Sequence, residues 1–166
     1  MLFSNNKRTR TSRSTTSTDY EALENRRVLA AIYLNPSSGE LFISGGAGND
    51  VGALVASGDQ VEASITGAAN QTFDAVDITT VFFIGDEGND TLTNFTDIPS
   101  GFFGGNGNDT LTGGSNDDSL NGGAGDDTIY GGDGNDQLIG SSGNDELHGG
   151  NGNDGIFGSS DLNTVY

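Results

Sequence analysis

Aspartates 109, 118, 127, 136, 145 and 154 stand nine residues apart, each two places before a large aliphatic residue: Leu111, Leu120, Ile129, Leu138, Leu147 and Ile156. Carboxylates on a fixed spacing, in a chain with no cysteine and one histidine, suit an oxygen-only shell around a hard cation. They do not suit thiolate or imidazole coordination. The unit that carries them is a nonapeptide repeated six times without insertion from Gly104 to Phe157: GGNGNDTLT, GGSNDDSLN, GGAGDDTIY, GGDGNDQLI, GSSGNDELH and GGNGNDGIF.

The elements that must position the aspartates follow from the unit itself. Positions one, two and four are glycine in most copies, which permits left-handed backbone and lets carbonyls converge with no Cβ in the way. Positions seven to nine alternate out, in, out, which predicts a three-residue strand about 10 Å long. The six-residue loop turns the chain back, so one coil takes two repeats. Aspartates on the same edge then lie one strand spacing apart, about 4.8 Å. Carboxylates that close repel unless a cation lies between them, and neighbouring glycine carbonyls complete a shell of the kind Ca²⁺ prefers. The expected pairs are Asp109 with Asp127, Asp118 with Asp136, Asp127 with Asp145, and Asp136 with Asp154. Asp90 with Asp109 is a fifth, displaced by one inserted residue, whereas Asp50 has no identifiable partner.

This repeat closely resembles the repeat-in-toxin, or haemolysin-type calcium-binding, family over residues 104 to 157, and with degeneracy over 85 to 166. The resemblance implies an all-β, right-handed parallel β-roll with Ca²⁺ between successive loops on each edge. It also implies secretion of an unfolded chain that folds in extracellular calcium. Two copies depart from the pattern: Asn116 replaces the glycine at position four and Ser141 the glycine at position two. Asparagine tolerates the left-handed region, so the Ser141 loop is expected to be the more disturbed.

Composition agrees with a metal-dependent fold. Of 166 residues only 32% are hydrophobic and 28 are glycine, too little apolar material for a conventional core. All six basic residues lie in the first 27 positions with three of the 24 acids, so the rest of the chain holds 21 acids and neither Lys nor Arg. Such a body repels nucleic acid and anionic membranes and attracts cations. No apolar run approaches the roughly 20 residues that span a bilayer, so membrane insertion is not expected.

In chain order, residues 1–35 read as a disordered, basic, Ser/Thr-rich leader in which Asp19 to Leu34 has the caps and stripe of a short helix. The run Tyr20-Glu-Ala-Leu-Glu-Asn-Arg-Arg-Val-Leu-Ala30 resembles the N-terminal signature of planctomycete extracellular proteins, which implies export. Residues 36–84 alternate at period two (Leu41, Ile43; Val61, Ala63, Ile65; Phe73, Ala75; Ile78; Val81 to Ile84) and read as a small β lead-in capping the stack. Residues 85–166 are the roll, opened by a repeat with Asp86 at position two and closed by a worn one with Asn163 in the aspartate's place.

Other readings compete with calcium binding. An isolated Gly-Asn-Asp such as that ending at Asp50 is an ordinary turn. An EF-hand is disfavoured, because Leu138 and Asn144 occupy its glycine and terminal glutamate positions. His148 is at an outward position nine, a surface residue. No His-Glu-x-x-His, Gly-x-Ser-x-Gly or phosphate-binding Gly-Lys-Ser/Thr motif is present, and no enzyme activity is expected. The sequence therefore points to a secreted or cell-surface calcium-binding repeat protein that folds on binding Ca²⁺. The alternatives are a structural or adhesive surface protein stiffened by calcium, with a cell-surface or self-association partner, and the non-catalytic tail of a secreted hydrolase or toxin.

Overall fold

The computed structural model describes residues 30–159 and 161–166. The basic leader, the planctomycete-like run up to residue 29 and the body of the suggested helix lie outside the described residues. Where that helix was expected to end, Ala31–Leu34 forms a strand instead, β1. The cause is long-range: β1 pairs antiparallel with β2 (Glu40–Ala47), and Ile32 enters the core.

The described chain is all β apart from one 3₁₀ turn at Ala75–Asp77. After β2 come β3 (Val51–Ser57), β4 (Gln60–Ile65), β5 (Gln71–Asp74), β6 (Thr80–Glu87), β7 (Thr91–Phe95), β8 (Ser100–Asn106) and β9 (Thr110–Thr112). The repeats continue as β10 (Ser119–Ala124), β11 (Thr128–Asp133), β12 (Gln137–Ser142), β13 (Glu146–Asn151), β14 (Gly155–Phe157) and β15 (Thr164–Val165). Two sheets result. One is ordered β1-β2-β6-β8-β10-β12-β14 and the other β15-β13-β11-β9-β7-β3-β4-β5. From β2 to β14 and from β3 to β15 through β7 every pairing is parallel, so the chain winds alternately through the two sheets as a β-solenoid.

Register places one aliphatic row in each sheet. Leu120 pairs with Phe102 on one side and Leu138 on the other, and Ile129 lies between Leu111 and Leu147. All of these are fully buried. The strands of the repeats are mostly longer than the three residues expected, because they continue through positions one to three of the next unit, as in Thr128–Asp133. The glycine at position one is itself an inward residue.

The lead-in is not a separate cap. Strands β2 and β3 are parallel neighbours of β6 and β7, so residues 40–57 form a coil of the solenoid. The cap is the insertion that follows: β4 and β5 fold back antiparallel on β3 and close that sheet. Gly52, where the repeat would carry an aliphatic residue, faces Phe83; a Cβ there would strike the Phe83 ring and the Ile65 and Leu92 methyls. The phenylalanine supplies the missing volume. Phe83 and Phe102 meet edge to face at 4.9 Å, a packing worth about 1 kcal/mol beyond burial. Thirteen of the 18 buried apolar residues precede Gly104, leaving a thin core in the repeats.

Candidate functional site

Each aspartate at position six sits at the turn entering a strand, where its backbone and side chain do different work. Oδ1 accepts the backbone N–H of the residue one coil earlier. Asp127 accepts from Asp109 at 2.8 Å, Asp136 from Asp118 at 2.8 Å, Asp145 from Asp127 at 3.0 Å and Asp154 from Asp136 at 3.0 Å. Asp109 accepts from Asp90 at 2.8 Å across the inserted residue. All five expected pairs are thus brought together, but through a backbone donor and one oxygen.

The second oxygen has a different fate. Oδ2 of Asp90, Asp109, Asp127, Asp136 and Asp145 is buried and has no hydrogen-bond partner. A buried polar atom left unmatched costs about 1–3 kcal/mol, more when charged, and the fold repeats that cost at every one of these steps. These atoms converge with main-chain carbonyls. A Cβ added at Gly104 would land against both Asp109 Oδ2 and the Gly122 carbonyl, and the same holds at Gly85 (Asp90, Gly104) and Gly131 (Asp136, Gly149). Carboxylate and carbonyl oxygens facing one cradle are the donor set of a calcium site. Among the described residues no three acidic, His or Cys side chains cluster, so a shell here draws mainly on the main chain.

Electrostatics point the same way. Burial, opposed by the N–H from the preceding coil and reinforced by neighbouring carboxylates, pushes Asp127 up to about 7. The same causes push Asp90 and Asp136 up to about 6. Asp109 is also raised, by burial. Outward strand positions along the coils include Phe42, Phe82, Thr91, Thr110 and Tyr130, with acids at Glu40, Asp86, Glu87, Asp133 and Glu146. The negative charge is concentrated at the two turn edges. Without a cation those carboxylates disfavour the fold that gathers them; a bound cation reverses the sign.

Two residues, one discounted and one expected as a ligand, differ from expectation. Asp50 does have a partner: its N–H donates to Asp90 Oδ1 at 2.8 Å and its carboxylate is buried. The link spans 40 residues, and not 18, because the β4–β5 insertion lengthens the coil. Asp118, by contrast, has no free oxygen. Oδ1 accepts from the Ser100 N–H and Oγ, both at 2.7 Å, and Oδ2 from the Gly114 N–H at 2.6 Å.

The disturbed loop is therefore the one with Asn116, and not the one with Ser141. Ser141 adopts φ 77° as its glycine counterparts would, and its hydroxyl donates to Asn121 at 3.0 Å. Asn116 and Gly114 both stay out of the left-handed region, and Asn116 Nδ2 instead donates to the Asp97 carbonyl. At the far end Asn163 fills the aspartate's place, accepting from the Asp145 N–H at 2.8 Å.

A second ladder escaped the sequence reading. Position five is Asn or Asp in all six copies. Its Oδ1 accepts an N–H from the following coil, opposite in sense to position six: Asn49 from Asn89, Asn89 from Asn108, Asn108 from Asp126, and Asp126 from Asn144. These side chains are exposed and fasten the turns. His148 is half-buried, stacked between the Tyr130 and Tyr166 rings with centroids 4.7 and 4.4 Å away.

No curated protein matches the chain, and no solved structure does. Residues 42–51, 103–138 and 130–165 match the family model of the RTX calcium-binding nonapeptide repeat. The first of these segments ends one residue beyond Asp50, and the others span the row from Asp109 to Asn163. The chain carries RTX-type calcium-binding repeats, wound as a parallel β-solenoid, and calcium is the ion such repeats bind.

Proposed function

We propose that the protein is an extracellular calcium-ion-binding repeat protein whose C-terminal coils order when Ca²⁺ enters the turn edges. The ligands on one edge are the second oxygens of Asp90, Asp109, Asp127 and Asp145, with Asp50 heading the row. On the other they are those of Asp136 and Asp154. The observation that carries this reading is the row of buried Oδ2 atoms without partners, each facing a glycine-lined cradle. The ion supplies the positive charge that the described residues, with no Lys or Arg, cannot.

The size of the effect suits a switch. Four sites, each tenfold above its dissociation constant, add about 6 kcal/mol, comparable with the whole stability of a small domain. Sites of extracellular modules work at about 10⁻⁴–10⁻³ M, a range that keeps them empty inside a cell and filled outside it. The export-type run at residues 20–30 supports an extracellular location. Among the described residues no helix is long and apolar enough to cross a membrane. The reading assigns no catalytic role to any residue.

A structural or adhesive role draws on a separate observation. One outward sheet face aligns Phe42 with Phe82 and Ile84 with Phe103, and Phe103 and Phe157 are about half exposed. Calcium titration of the full chain, followed by far-ultraviolet circular dichroism and calorimetry, tests the main reading. A gain of β signal with saturable binding of several ions is expected; binding of no calcium overturns it. Retention of the calcium-loaded protein on cell-surface material would add the adhesive role.

A further inference from the structure

The two turn edges are not equivalent. On the first, carboxylates run from Asp50 to Asp145. On the second, the positions aligned with Asp118 in earlier coils are Ser100, Val81 and Leu41, and Val81 and Leu41 are fully buried. The change occurs at one place, the turn between Asn94 and Ser100 and the Gly113–Asp118 loop packed on it.

Every buried polar group noted at that place is satisfied by protein. Asn94 Oδ1 accepts from the Thr96 N–H at 2.9 Å and its hydroxyl at 2.6 Å, while Asn94 Nδ2 donates to the Ile98 carbonyl at 2.8 Å. Thr96 Oγ1 accepts from the Ile98 N–H at 3.2 Å. Ser100 supplies two donors to Asp118 Oδ1, and Gly114 supplies one to Oδ2. Asn116 Nδ2 ties the loop to Asp97. Asp118 is buried like its relatives, yet it alone among the buried repeat aspartates has donors on both oxygens. Serine and glycine donors match here both oxygens of a carboxylate whose counterparts elsewhere keep one unmatched, although burial still raises Asp118.

Above this closure lies most of the apolar core, including Ile43, Leu54, Phe83 and Phe102, together with the antiparallel cap. Below it each coil up to Leu147 contributes one buried Leu or Ile per sheet, and three consecutive turns, at Asp127, Asp136 and Asp145, leave an unmatched carboxylate oxygen; in the last coil Asn163 stands in the aspartate's place.

We propose that the closure of Asp118 by Ser100 and Gly114 marks the lower boundary of a calcium-independent folding nucleus, residues 31 to about 118, on which the remaining coils are laid down as calcium binds. The nucleus offers the exposed parallel edges of β8 and β9 as templates, so ordering proceeds from the N-terminal side toward residue 166. This rests on the calcium reading, since the part below the boundary needs the ion. It also assigns Asp118 to the protein's own hydrogen bonds and removes it from the metal ligands. Asp90 and Asp109, inside the nucleus, keep unmatched oxygens on the opposite edge; there the larger core and the cap carry the fold.

Hydrogen exchange with mass spectrometry on the full chain, in EGTA and in millimolar Ca²⁺, separates the cases. Amides around 41–43, 81–84 and 100–103 are expected to stay protected in EGTA, while those around 128–150 exchange at the unfolded rate and gain at least 100-fold protection in Ca²⁺. Loss of protection throughout in EGTA, with recovery throughout in Ca²⁺, overturns the nucleus and leaves the calcium reading standing. Equal protection of 128–150 in both conditions overturns both. Ser100→Ala, a mild change, should lower EGTA-state protection at 100–103 severalfold without altering calcium stoichiometry. A lost calcium ion in that variant would make Asp118 a ligand and refute the assignment.

Discussion

Replacing Asp136 by asparagine separates the two roles of a buried aspartate and should change stability in opposite directions with and without calcium. In Asp136→Asn the Oδ1 atom still accepts the Asp118 N–H now held at 2.8 Å. The amide nitrogen takes the place of Oδ2, whose cradle it shares with the Gly149 carbonyl. A buried repulsive charge becomes a donor beside an acceptor. The carboxyl titrates at about 6 in the fold against an ordinary value of 3.8, because burial outweighs the N–H that it accepts. Solvent screens part of that shift, so at pH 7.5 its ionisation burdens the metal-free fold by about 1–2 kcal/mol. In EGTA the variant should therefore show more β signal, and slower hydrogen exchange around β11 to β13, than the parent. With calcium the sign reverses: the variant should bind at least one ion fewer and lose about 1.4 kcal/mol for every tenfold weakening of a flanking site. A variant less stable than the parent in EGTA, or one with undiminished stoichiometry, refutes the reasoning.

Other expectations follow from the same geometry. Asp90, Asp127 and Asp136 have raised values in the fold, so their protonation favours the metal-free fold fully below 3.8, and that stability is lost as pH rises through about 6 to 7. The chain in EGTA should thus gain β signal between pH 8 and pH 4.5, and the calcium midpoint should rise as pH falls below 7; a flat pH profile in EGTA contradicts this. Asp50→Ala removes a buried carboxylate at the head of the row, and should lower calcium stoichiometry by one while sparing the β10–β13 coils in hydrogen exchange. Leu138→Ala opens a cavity in a fully buried row and should cost about 2–5 kcal/mol in calcium, read by urea unfolding. Gly52→Val drives methyls into Phe83, Ile65 and Leu92 and should cost about 1–3 kcal/mol by the same assay.

The repeat made the roll legible because its signals are local and periodic: one inward aliphatic and one turn aspartate per nine residues fix both rows and the coil of two repeats. Strand length was less legible, since Gly-Gly at positions one and two reads as turn although it continues the strand between closely stacked coils. Asp50 was invisible as a member of the row because an inserted hairpin changed the interval from 18 to 40 residues. Asp118 shows the opposite case. It keeps the pattern perfectly, yet its oxygens are taken by Ser100, from a degenerate turn, and by Gly114, whose conformation only the fold sets. Ser141 shows that one residue at φ 77° is tolerated where the surrounding ladder holds the backbone in place. The strand at Ala31–Leu34 depended on pairing with β2, which a local helix pattern cannot reveal.

The central claim is that the second oxygens of the turn aspartates are matched by calcium. The most direct test is an isothermal titration of the full chain with Ca²⁺, run in parallel with circular dichroism on the same samples. The account predicts several ions per chain, with β signal from the C-terminal coils rising over the same calcium range as the heat of binding. No binding, or full β signal in EGTA that calcium leaves unchanged, would contradict it.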